Sequence, residues 1–178
     1  MHLEGSCHCG AVRFALESRT PVPYMRCYCS ICRKTMGGGG YAINLGGDAR
    51  TLTVAGEDNI SVYRARRGAA SEGTESEDGL SPARRHFCKR CGSGLWVFDP
   101  RWPALIHPFA SAIDTKLPRP PETVHVMLDH VAGWIDIPEG PGQRHFPEYP
   151  DLSIADWHDR HGLTDGDSPA PATDNGTA

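Results

Sequence analysis

The chemistry-bearing residues of this chain are its seven cysteines, which fall in three knots: Cys7-x-Cys9, Cys27-x-Cys29-x-x-Cys32 and Cys88-x-x-Cys91. Thiols at these separations can turn their sulfurs toward one point, as a metal ion requires, and an odd number of them cannot be used up in intramolecular disulfides. Cys88-Lys89-Arg90-Cys91-Gly92 has the form of a zinc knuckle: two intervening residues, a glycine that permits the tight turn, and two cations that offset surplus thiolate charge. A zinc ion held only by protein takes four donors in a tetrahedron, so this pair needs two more. Two partitions provide them. Either Cys29 and Cys32 join Cys88 and Cys91, leaving Cys7, Cys9 and Cys27 over, or Cys7 and Cys9 join them, leaving Cys27, Cys29 and Cys32 as a compact trio. Spacing alone does not decide, although the second leaves no scattered remainder.

A trio has its own chemistry. Three thiolates on zinc leave a fourth position for water or substrate, which marks catalytic sites. They also make the ion a softer Lewis acid that prefers an incoming sulfur to a carbonyl oxygen. A thiol bound there loses its proton near neutral pH and becomes a nucleophile. Arg33 and Lys34 follow the trio and could stabilise a bound thiolate or hold a carboxylate, against the plainer role of solubilising surface. Gly37-Gly38-Gly39-Gly40 offers either backbone N–H groups to an anion or a hinge. His8, between two proposed ligands, is expected to point away as a bystander. His107 and His125 lie in strand-like runs, where a satisfied structural histidine is the commoner case than an acid or base. Trp96, Trp102 and Trp134 read as core packing.

The elements that must position these residues carry the strand period. Val12, Phe14 and Leu16 alternate with smaller or polar neighbours, as do segments 41–45, 52–54, 60–63 and 124–128. Leu95-Trp96-Val97-Phe98 and Trp134-Ile135-Asp136-Ile137 are short apolar runs. Gly, Pro, Asn and Asp separate these segments, and long helical periodicity is missing, which points to a mainly β fold of antiparallel sheets. Residues 68–82 are polar and acidic and read as a mobile loop. Ser153 followed by Asp156, with Ile154 and Trp157 on one side and Gly162 beyond, predicts a short capped helix. Residues 164–178 lack aromatics and large aliphatics and read as a disordered tail.

A chain of 178 residues accommodates one domain, 1–150, with a helical appendage at 151–163 and the tail at 164–178. The net charge of −4 gives no general attraction to phosphate backbones, so a nucleic acid partner is not expected. The N-terminus has no basic or apolar signal region, and no apolar run approaches the roughly 18 residues of a spanning helix, so no membrane is expected either. Reduced thiols in this number fit a cytoplasmic location.

Three blocks carry a resemblance: Gly5-Ser6-Cys7-His8-Cys9-Gly10-Ala11-Val12-Arg13-Phe14, Cys27-Tyr28-Cys29-Ser30-Ile31-Cys32-Arg33-Lys34 and Phe87-Cys88-Lys89-Arg90-Cys91-Gly92-Ser93. They resemble the signature blocks of the glutathione-dependent formaldehyde-activating enzyme family, which also includes centromere protein V. Weaker likeness at 124–126 and 134–147 extends the resemblance over roughly residues 3–150. It implies a β-tent of stacked antiparallel sheets and the second partition: Cys7, Cys9, Cys88 and Cys91 on a structural zinc, and Cys27, Cys29 and Cys32 on a catalytic one. The implied activity joins glutathione to formaldehyde, a carbon–sulfur lyase reaction run in reverse. Tyr28 stands where many relatives have histidine, the 68–82 stretch is longer than the usual loop, and the segment after Pro150 has no recognised counterpart. Two other classes share the same cysteines: a non-catalytic carrier of a thiol adduct, and a zinc-stabilised interaction scaffold. The thiol partner is expected to be small, such as glutathione; oligomeric state is not legible.

Overall fold

The structure, a computed structural model, describes residues 1–36, 38–66 and 79–163. The expected tail at 164–178 and residues 68–78 of the expected loop lie outside the described residues, as do Gly37 and Arg67. Among the described residues the fold is mainly β, built from three sheets with two short helices.

The first sheet pairs β1 (His2–Ser6), β2 (Arg13–Glu17) and β6 (Thr53–Ala55) antiparallel. In β2 the expected alternation holds, with Phe14 and Leu16 buried and Arg13 and Glu17 exposed. The second sheet has the order β5-β10-β9-β8-β7, from β5 (Gly47–Asp48), β7 (Ile60–Arg66), β8 (Leu80–Cys88), β9 (Gly94–Phe98) and β10 (Leu105–Pro108). Leu95, Trp96 and Val97 are all buried because β9 is the central strand and meets apolar material on both faces. Trp96 packs into one core with Leu3, Val12, Phe14 and Leu16, while Val97 packs into a second core with Ala42, Phe109, Val124 and Val126.

The third sheet, β12-β11-β3-β4, comprises β3 (Tyr24–Cys27), β4 (Ala42–Asn44), β11 (Thr123–Val126) and β12 (Gln143–His145). Here the expectation of purely antiparallel sheets is corrected, since β11 runs parallel to both β3 and β12. The partners of β11 are distant in sequence, so no hairpin sets their direction. The run Trp134–Ile137 forms no strand, and Trp134 lies 65 % exposed. Trp102 is likewise exposed, so core packing describes Trp96 alone of the three tryptophans. The end of the expected loop, from Leu80 onward, is the start of β8.

Helix α1 (Ser30–Met36) follows β3, and α2 (Ile154–Arg160) closes the described chain. The predicted cap of α2 is present: the Asp156 amide donates to the Ser153 hydroxyl at 3.1 Å. Its buried Trp157 donates from Nε1 to Glu122 at 3.2 Å, holding the helix to the third sheet. Among the described residues no helix is long and apolar enough to cross a membrane.

Candidate metal centres

The structure brings the cysteines together in two groups, Cys7 with Cys9, Cys88 and Cys91, and Cys27 with Cys29 and Cys32. Within each group the sulfurs lie within 4.8 Å of one another. This is the grouping of the second partition. All seven cysteines are free thiols.

The four-sulfur group joins the β1–β2 turn to the β8–β9 turn. In the first turn, the Gly10 amide donates to the Cys7 carbonyl at 2.9 Å and the Val12 amide to the Cys7 sulfur at 3.2 Å. In the second, the Gly92 amide donates to the Cys88 carbonyl at 2.8 Å. Each turn closes on a glycine of positive φ, +70° at Gly10 and +76° at Gly92, a conformation that side chains with a Cβ rarely adopt. Cys7 and Cys88 are buried members of the first core, while Cys9 and Cys91 face outward. The Ser93 hydroxyl, then the backbone amides of Ser93 and Cys9, hold Cys91 down to about 5. His8 is exposed beside them, and its amide donates to the Ser93 hydroxyl at 3.1 Å.

A metal fits these four. With zinc–sulfur bonds of about 2.3 Å, the edge of a tetrahedron of sulfurs is roughly 3.8 Å. The Cys7–Cys9 and Cys9–Cys88 sulfur pairs stand at 3.6 and 3.8 Å.

The three-sulfur group sits where β3 passes into α1. Cys27 ends the strand and Cys32 lies in the helix, both buried in the second core, whereas Cys29 is only half-buried. The Cys32 amide donates to the Cys29 sulfur at 3.4 Å, which shapes the C-x-x-C turn. Hydrogen bonds from Cys27 and then Cys32 hold the Cys29 thiol down to about 2, and the same bond from the other side pushes Cys27 far up. Sulfurs this close share a charge rather than ionising independently. Among the described residues no further His, Cys, Asp or Glu joins the group, so a metal held by the trio would lack a fourth protein donor of these types.

Other candidates take different places. Arg33 is half-buried with its Nε lacking a hydrogen-bond partner, and Lys34 is exposed. His107 donates its Nδ1–H to the Leu45 carbonyl at 3.1 Å, a structural role. His125 is fully buried. Its Nε2–H donates to Gln143 Oε1 at 2.7 Å, which leaves Nδ1 to accept from the Tyr28 hydroxyl at 2.8 Å. The departure at Tyr28 is thus a buried donor to a histidine of the neighbouring strand.

Sequence reasoning missed three further features. Tyr149, before α2, stands within electrostatic range of all three thiols. A cleft of about 550 Å³ runs between the third sheet and α2, lined by Met25, Val124, Phe146, Leu152, Trp157 and Arg160 among others. The third is Arg85, buried in β8. Strand alternation from Ala83 would have marked Arg85 as inward-facing, had β8 been recognised.

Three sheets around two cores, with a cysteine group closing each, define a mainly β protein with two sites able to take metal ions. A sequence profile described as glutathione-dependent formaldehyde-activating enzyme matches residues 2–128. The chain belongs to this family. A protein of Halomonas elongata, named provisionally as a glutathione-dependent formaldehyde-activating enzyme, is 60 % identical over 167 residues, covering 93 % of this chain and all of that one. A crystal structure of a Rhodobacter sphaeroides protein is 26 % identical, covers 65 % of this chain and 92 % of that one, and superposes with a TM-score of 0.46. The family match spans residues 2–128, and the Halomonas relative, aligned over 93 % of this chain, extends beyond it into the segment after Pro150.

Proposed function

We propose that the chain is a zinc-dependent enzyme of the carbon–sulfur lyase type, acting on the adduct of a small thiol, glutathione, with formaldehyde or a similar small aldehyde. Cys7, Cys9, Cys88 and Cys91 would hold a structural zinc, and Cys27, Cys29 and Cys32 a catalytic one, within a domain spanning 1–150. Zinc at the trio would lower the pKa of an arriving thiol and keep it as thiolate near neutral pH. The observation that carries the reading is the trio itself: three sulfurs within 4.8 Å of one another, and no fourth donor beside them among the described residues.

The chain's own residues supply placement. The β3–α1 turn fixes three sulfurs in a local frame, and the apolar second core beneath Cys27 and Cys32 keeps water from that side. Half-buried Cys29 marks the side open to solvent. Arg33 and Lys34, which follow the trio on α1, would hold a glutathione carboxylate. Met25, two residues along β3 from Cys27, lines the 550 Å³ cleft, which has room for the peptide body of the thiol. In the forward direction the thiolate sulfur adds to the aldehyde carbon as the carbonyl π pair moves to oxygen, and a proton then completes the hydroxymethyl thioether. The reverse breaks the same C–S bond. A reducing cytoplasm suits seven free thiols.

The test is NMR exchange spectroscopy of glutathione and formaldehyde with zinc-loaded protein. Exchange above the spontaneous rate, lost in Cys29→Ser, is expected. Spontaneous exchange alone, with glutathione bound at the trio, would favour a carrier; no thiol binding and a trio metal capped by a protein side chain would favour a scaffold.

A further inference from the structure

Arg85 is the least explained residue near the trio. It lies in β8 in register between Tyr63 of β7 and Val97 of β9, and the residue is only 8 % exposed. Its Nε and Nη1 have no hydrogen-bond partner. Burying a guanidinium with free donors is costly, and such a group ordinarily has an anion to complete it.

Its surroundings say where that anion would sit. Val97, opposite on β9, and Ala83, two residues back on the same face of β8, both pack into the core that contains Cys27 and Cys32. Neither free donor is hydrogen-bonded to a sulfur. Arg85 thus lies on the face of β8 that borders the core of Cys27 and Cys32, with two donors unspent.

We propose that Arg85 is a catalytic residue that binds the carbonyl oxygen of the aldehyde. This rests on the reading above. As the C–S bond forms, the π pair of the C=O bond becomes a lone pair on oxygen, and the Arg85 N–H groups donate to that growing negative charge. Arg85 keeps its proton. The proton lost by the thiol on ionisation is balanced by one that water delivers to the alkoxide, so thiol plus aldehyde gives hydroxymethyl thioether with no oxidant or reductant. In the reverse direction the same donors hold the alkoxide from which the C–S bond breaks.

Formate, a one-carbon oxyanion, serves as the binding probe, because a guanidinium can meet a carboxylate with paired N–H bonds. Calorimetric titration and exchange kinetics would be run on zinc-loaded wild type, Arg85→Met and Arg85→Lys. Methionine keeps much of the apolar stem and removes every donor; lysine keeps the charge and covers the case in which the methionine variant does not fold. Arg85→Met should lower formate affinity at least tenfold and kcat roughly 10²–10³-fold, with zinc content and the KM for glutathione unchanged, and Arg85→Lys should retain part of both. Wild type that does not bind formate, or variants with wild-type formate affinity and kcat, would overturn the assignment. Loss of zinc from Arg85→Met would also overturn it, by showing a countercharge to the thiolates instead. Should wild type bind formate through Arg85 but leave glutathione–formaldehyde exchange at the spontaneous rate, the enzyme reading fails while the anion site stands.

Discussion

Replacing one cysteine in each group should have unequal effects on stability, and the inequality can be worked from the chain. The four-sulfur group ties positions far apart: Cys9 and Cys88 are 79 residues distant, with their sulfurs 3.8 Å apart. A cross-link closing a loop of that length removes about 4–5 kcal/mol of unfolded-state entropy by the loop-closure relation. The trio spans only the run from Cys27 to Cys32, where the same relation gives about 2 kcal/mol, part of which the local turn already supplies. At about 2–4 °C per kcal/mol for a chain of this size, Cys88→Ser should lower the Tm of zinc-loaded protein by roughly 10–15 °C and Cys29→Ser by less than about 5 °C. Thermal unfolding by circular dichroism, with zinc counted by mass spectrometry under native conditions, reads both quantities. Zinc should fall from two ions to one in each variant. Equal Tm losses, or a larger loss for Cys29→Ser, would refute the assignment of the structural role to the group that ties distant segments.

Tyr28→Phe leaves the fully buried His125 Nδ1 without its donor and should cost about 1–3 kcal/mol, read as a lower urea midpoint; an unchanged midpoint would mean that another donor serves Nδ1. Burial holds His86, His107 and His125 below the ordinary imidazole value of 6.5, so as pH falls the unfolded chain takes up these protons first. The stability they contribute is complete above about 6.5 and declines below it, and urea midpoints of zinc-saturated protein between pH 7.5 and 5.5 should fall with pH; a midpoint that rose on acidification would contradict this. Gly40 has φ +86°, and an added Cβ would stand 2.4 Å from Ile135 Cδ1, so Gly40→Ala should cost about 1–2 kcal/mol, whereas Gly38→Ala, with open space around it, should be nearly neutral.

Strands whose two faces differ in polarity were legible in the sequence: β2, β4, β6, β7 and β11 appear where alternation places them, and β9 where a buried run does. Others carried no such signal. In β1 one inward position is Gly5, which lies against Phe14 and has no side chain to register as apolar. In β8 the inward Arg85 and its neighbours Arg84 and His86 look like surface. Seven-residue α1 is too short for helical periodicity to accumulate, and parallel pairing of β11 with β3 is a long-range event that no local pattern encodes. Trp134 misled for the opposite reason: an apolar run without a partner strand stays outside, on a turn beside Gly40. The cysteines were legible as metal-type knots, but their grouping depends on which sheets meet, and so needed either a family resemblance or the fold.

The wide separation of Cys7 and Cys9 from Cys88 and Cys91 also sets an order of events at the ribosome. At about 5–20 residues per second, the first pair waits on the order of 4–16 s for the second to emerge, while the Cys27–Cys32 cluster is finished within about a second of its first residue. During that interval the trio is the only complete cysteine group on the nascent chain, so under the proposed assignment a metal captured early would go to the position with an exchangeable ligand. The four-sulfur group would be filled later, when translation has delivered its second half.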